Sequence, residues 1–140
     1  MFERILLAVD GSDHAAHAAK IAAELGQCVE SAELRIVVVY APIPPYLGEP
    51  NLQVAIDTRL NEAQEILQKA VEIIGETHLD IHTELIEGDA AEAIIEVATT
   101  RNSDVIVMGS RGLGRLAGLV LGSTSQKVVS HAPCPVLIVR

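Results

Sequence analysis

Tryptophan is absent from this sequence, phenylalanine occurs once and tyrosine twice, so a core built on stacked rings is excluded. Cysteine occurs only as Cys28 and Cys134, far apart and in no metal-ligand spacing. That pattern points to free buried thiols in a reducing compartment. Positive charge is also scarce: 10 basic residues stand against 19 acidic ones, a formal charge of −9. Nucleic-acid binding rests on clustered Lys and Arg that neutralise phosphates, and no such cluster is present, so no nucleic-acid partner is expected. No apolar run reaches the ~18 residues of a membrane span, and Met1-Phe2-Glu3-Arg4 leads straight into a strand-like stretch without a signal peptide. No membrane is expected, and the expected location is cytoplasmic.

What remains is rich in Ala, Val, Ile and Leu. Hydrophobic residues make up 49% of the 140, enough for a substantial core in a single domain spanning 1–140. Five short Val/Ile/Leu-rich runs read as buried strands: Arg4–Asp10, Leu34–Tyr40, Ile81–Glu87, Asp104–Gly109 and Pro135–Arg140. Helical stripes lie between them. Ala15, Ala18, Ala19, Ala22 and Leu25 form the first, and Leu52, Ala55, Ile56, Leu60, Ala63, Leu67, Ala70 and Ile74 a longer second. Ala91, Ile94, Ile95 and Ala98 form the third, with Asp89 and Glu92 in the spacing of an N-cap and its partner. A last short helix is expected near Ser123, with Gln126 completing an S-x-x-Q box. Prolines 42, 44, 45 and 50 make Ala41–Pro50 a surface loop or a lid. Strands alternating with helices, and apolar almost throughout, imply an α/β fold: one doubly wound, five-stranded parallel sheet with helices on both faces.

The strongest chemical feature is Gly109-Ser110-Arg111-Gly112-Leu113-Gly114, continuing to Gly122-Ser123-Thr124-Ser125. It follows the fourth strand and ends at a helix start. Glycines let backbone N–H groups approach an anion, and a helix N-terminus adds unpaired donors and partial positive charge. The serine and threonine hydroxyls add donors, and Arg111 and Arg115 bring positive charge. Such a cradle suits a polyphosphate on an otherwise acidic protein. It is not a Walker A loop, because no Gly is followed by Lys. Gly112-Leu113-Gly114-Arg115-Leu116-Ala117 fits G-x-G-x-x-A, but it falls in the last βα turn with no acidic residue about 20 positions on.

A second feature is Asp10-Gly11-Ser12-Asp13 after the first strand. If strands one and four are neighbours, Asp10 faces the Gly109 loop across one crevice, where it could bond a ribose or help hold a metal; Ser12 or Asp13 caps the first helix. His14 and His17 lie three apart on that helix, but no third metal ligand is evident. No catalytic triad or paired-carboxylate site can be assembled.

At these residues the chain resembles the universal stress protein family over essentially its whole length. The ATP-binding branch carries G-x2-G-x9-G-[ST], matched by Gly109, Gly112 and Gly122-Ser123. Ile5-Leu6-Leu7-Ala8-Val9-Asp10-Gly11-Ser12 resembles the family's first strand and turn, and Ala132-Pro133-Cys134-Pro135-Val136-Leu137-Ile138-Val139 its last strand. The resemblance implies sheet order 3-2-1-4-5 and ATP across strands one and four. Val9 and Val39 would lie by the adenine, Met108 by the base or sugar, and Asp10 by the sugar or a metal. Gly109, Gly112, Gly122, Ser123 and Thr124 would hold the phosphates, with Ala8, Gly11, Ser12, Ser110, Arg111 and Ser125 completing the site. Mg²⁺ or Mn²⁺ would ride on the phosphates, and a homodimer would form through Val136–Val139, an uncharged edge strand.

The expected activity is nucleotide-dependent regulation in stress rather than catalysis, with a regulatory partner the sequence does not name. The alternatives are a slow metal-dependent ATPase or phosphotransferase using Asp10, a cyclic-AMP binder of the same fold, an adenylating α-hydrolase whose S-G-G-x-D-S motif is missing here, and a scaffold that binds no nucleotide.

Overall fold

The computed structural model describes residues 2–111 and 121–140. Its strands are β1 (Arg4–Ala8), β2 (Glu33–Tyr40), β3 (Asp80–Glu87), β4 (Val105–Gly109) and β5 (Val136–Val139). They alternate with helices α1 (Asp13–Gln27), α2 (Asn51–Ile74), α3 (Ala90–Thr100) and α4 (Ser123–His131). The sheet runs β3-β2-β1-β4-β5, and every pairing is parallel.

Strand alternation explains the two-sided core. In β1, Ile5 and Leu7 point to a layer packed by α1 and α2, while Leu6 and Ala8 point to a layer holding α3 and Val128 of α4. Both layers are aliphatic, and each fully buried Leu or Ile side chain contributes about 1.5–3 kcal/mol relative to exposure. The small residues of α1, Ala15, Ala18, Ala19 and Ala22, are all buried and let the helix lie close on the sheet.

Several expectations change in detail. The strand expected to reach Asp10 ends at Ala8, although Val9 N–H still donates to Val37 O at 3.1 Å. The long stripe of α2 is buried only in its second half, at Ala63, Leu67, Ala70 and Ile74. Within Ala41–Pro50 the chain makes one 3₁₀ turn, Pro45–Leu47, which a proline at its start permits. Both cysteines are free, but Cys28 is exposed rather than buried, because it sits at the solvent-facing C-terminus of α1. Cys134 is half-buried, and desolvation pushes its thiol pKa up. No helix among the described residues is long and apolar enough to cross a membrane.

Candidate functional site

The chain leaves β1 on one side towards β2 and β3, and occupies the other side with β4 and β5. At such a switch point the loops beyond the strand ends part. A crevice of about 270 Å³ opens there. Its apolar lining comes from Ala8, Val37, Val39 and Met108 of the sheet, from Val9 just past β1, from Ala15 of α1 and from Ala90 and Ile94 of α3. Its polar lining is Asp10, Ser12, Arg111, Ser123, Thr124 and Ser125, with the backbone of Gly109 and Gly122. Arg111 is the one cation among the described lining residues.

The β1–α1 turn is built by short polar side chains. Ser12 N–H donates to Asp10 Oδ1 at 3.0 Å, and Gly11 between them has φ +86°, a conformation that suits glycine. Ser12 Oγ then accepts from Ala15 N–H at 3.2 Å and caps α1. Gly11 itself turns away from the crevice; a Cβ there would meet Ile66 of α2 at 3.3 Å.

The end of β4 is pressed against α1. A Cβ on Gly109 would lie 2.8 Å from His14 Cβ and 3.0 Å from Ala15 N, so only glycine permits this approach. Ser110 is 1% exposed and does not line the crevice. Its N–H donates to Val139 O (2.7 Å), its carbonyl accepts from Gly122 N–H (2.7 Å), and its Oγ lies 2.7 Å from His14 Nδ1. Ser125 Oγ donates to Gly109 O at 2.8 Å. The end of β4 and the start of α4 are therefore joined by a hydrogen-bonded neck at Ser110 and Gly122. Gly112, together with Leu113, Gly114 and Arg115, lies outside the described residues.

This neck divides the designated donors into two sets. The Ser110 and Ser125 hydroxyls and the Gly122 amide are engaged within the protein. Ser123 and Thr124, in the first turn of α4, line the crevice, and no side chain among the described residues caps that helix start. The expected S-x-x-Q box is corrected accordingly. Gly122, extended at φ −71°, ψ 166°, occupies the cap position and makes Ser123 the first helical residue, while Gln126 Nε2 donates back to Leu121 O at 3.0 Å.

Comparison with known proteins identifies the architecture. The profile of the universal stress protein family matches residues 1–140. The chain belongs to the universal stress protein family. It is 48% identical over 140 residues to "Universal stress protein in QAH/OAS sulfhydrylase 3'region" of Thermus aquaticus, covering 100% of both chains. Its fold is similar to that of universal stress protein UspA from Lactobacillus plantarum, with TM-score 0.82 and 28% identity over 99% of this chain and 98% of that one. It is also similar to a universal stress protein solved in complex with cAMP, with TM-score 0.68 and 26% identity over 99% and 97% of the two chains.

Four lining residues of this universal stress protein were not designated from sequence: Ala15, Val37, Ala90 and Ile94. Val37 shares a face with Val39 by the two-residue strand period, which was a usable signal. Ala90 and Ile94 follow the Asp89 cap, whose carboxylate accepts from Glu92 N–H at 3.0 Å. That hydrogen bond, helped by nearby Lys127, holds the Asp89 carboxyl below the usual aspartate range, while the Glu92 carboxylate bonded to Lys127 raises that ammonium's pKa. Lys127 Nζ lies 3.3 Å from Glu92 and 3.6 Å from Asp89, joining α4 to the start of α3. His14 and His17 do not converge: His17 Nδ1 lies 2.9 Å from Arg140 O, and His14 meets Ser110. Among the described residues no three His, Cys, Asp or Glu side chains group as a metal site.

Proposed function

We propose that the crevice binds an adenine nucleotide, with ATP and Mg²⁺ or Mn²⁺ as its ligand, and that occupancy sets the conformation or partner surface of a stress-response regulator. The observation that carries this reading is the uncapped start of α4. Its amides, the Ser123 and Thr124 hydroxyls and Arg111 line one crevice with the apolar Val39 and Met108. Unpaired N–H groups and a helix dipole favour a phosphate, and aliphatic walls favour a base. Asp10 is the one carboxylate among the described lining residues. One carboxylate fits a divalent cation that keeps most of its coordination on water and phosphate oxygens. The cation would supply charge neutralisation, and the chain's own part would be to hold the phosphates at α4 and the sugar side at Asp10.

The cAMP complex of a universal stress protein 26% identical to this one supports an adenine ligand and favours cyclic AMP as a second reading. The reading is of binding rather than turnover, because the glycine loop carries no P-loop lysine. It includes a homodimer through Val136–Val139, supported by β5 lying at the sheet edge with Leu137 39% exposed. Isothermal titration with ATP, AMP and cAMP, with and without Mg²⁺, tests it. Saturable one-site binding is expected, and an absence of binding at millimolar nucleotide rejects it.

A further inference from the structure

We propose that His14 is a positioning residue that fixes, through Ser110, the neck joining the end of β4 to the start of α4. Ser110 and Ser125 are the only buried polar residues among those described, and both sit at this neck. Every hydrogen-bonding group of Ser110 is engaged: the amide by Val139 O, the carbonyl by Gly122 N–H and the hydroxyl by His14 Nδ1, each at 2.7 Å. Two of these bonds come from backbone that any residue would supply. The third depends on the side chain at position 14, on the helix that Gly109 already touches at its steric limit. A buried hydroxyl left without a partner costs about 1–3 kcal/mol, so Ser110 would shift to recover one. Its carbonyl would then move relative to Gly122, the residue that sets the start of α4. His14 thus acts at a distance on donors it does not touch.

The ligand part of this inference rests on the nucleotide reading; the neck part does not. The test uses His14→Phe, which keeps a ring and removes the nitrogen, His14→Asn, which restores a polar atom near the Nδ1 position, and Ser110→Ala. Amide hydrogen exchange at Ser110 and Gly122 is read first, without ligand. Exchange at both amides is expected to speed up about tenfold in His14→Phe and to return towards wild type in His14→Asn. ATP titration is read second, at a temperature where every variant is folded. Affinity is expected to fall about tenfold in His14→Phe and Ser110→Ala, and to recover in His14→Asn. Unchanged exchange at Gly122 in both His14→Phe and Ser110→Ala overturns the proposal. So does loss in His14→Asn with none in His14→Phe, which would make the ring's packing, not its nitrogen, the cause. If His14→Phe does not fold, Ser110→Ala and His14→Asn carry the same comparison. A wild-type protein that binds no nucleotide, with exchange behaving as expected, refutes the nucleotide reading and leaves the role of His14 at the neck supported.

Discussion

Helices α1 and α3 begin alike, and α4 begins differently. Ser12 caps α1 and Asp89 caps α3, each accepting a backbone N–H three residues on, and each helix carries an acidic residue in its first turn. Helix α4 has neither a capping side chain nor an acid in its first turn. Helix α2 also lacks a side-chain cap, but its Leu52 N–H reaches Gly48 O at 2.8 Å, and none of its residues lines the large crevice. The starts of α1, α3 and α4 all contribute to that crevice, and among them only α4 carries no capping side chain. On a chain of net charge −9 an anion is repelled at long range. Only a local set of aimed donors offsets that repulsion, and capping α4 as α3 is capped would remove it.

The comparison is broken most severely by making α4 resemble α3. Gly122→Asp places a carboxylate at the cap position in a backbone conformation that aspartate readily adopts. Nucleotide affinity is expected to fall about a hundredfold or more through like-charge repulsion, while the fold gains about 0.5 kcal/mol from the cap and dipole. Titration and thermal melting should thus move in opposite directions. Gly109→Ala tests the packing beneath the site. Its methyl meets α1 backbone at 3.0 Å, and a loss of about 1–3 kcal/mol in urea unfolding is expected. Ser12→Ala removes the cap of α1 and is expected to cost about 1 kcal/mol by the same measurement. The smallest effect concerns Asp89. Its carboxyl titrates lower in the folded protein than in the unfolded chain. Its stabilisation is therefore complete above the unfolded pKa and is lost as pH falls through the folded one. Asp89→Asn, which still caps, should flatten the acid limb of melting temperature against pH.

The strand runs were legible because each is a short, continuous aliphatic segment that only a sheet covered on both faces can bury. The strand order came with the family motifs, and the hydrogen-bonded pairs agree with it. The Asp89 cap was legible because its spacing to Glu92 is local. The S-x-x-Q spacing at Ser123 was equally local and misleading, because whether Ser123 or Gly122 stands at the cap depends on how the chain returns to Ser110. The same holds for Ser110 and Ser125. Both look like free donors in sequence, yet their partners His14 and Gly109 lie 96 and 16 residues away. The exposure of Cys28 and the only partial burial of the first half of α2 also depend on where elements end, which composition does not encode.

If the crevice holds an adenine nucleotide, the open end of α4, rather than the capped ends of α1 and α3, receives its phosphates. Amide chemical-shift mapping of the wild-type protein during titration with ATP and Mg²⁺ tests it most directly. The largest saturable shifts are expected at Ser123, Thr124 and Ser125, with smaller ones at Ala15 and Glu92, whose amides already hold cap bonds. Largest shifts at α1 or α3, or none anywhere at millimolar ATP, would contradict it.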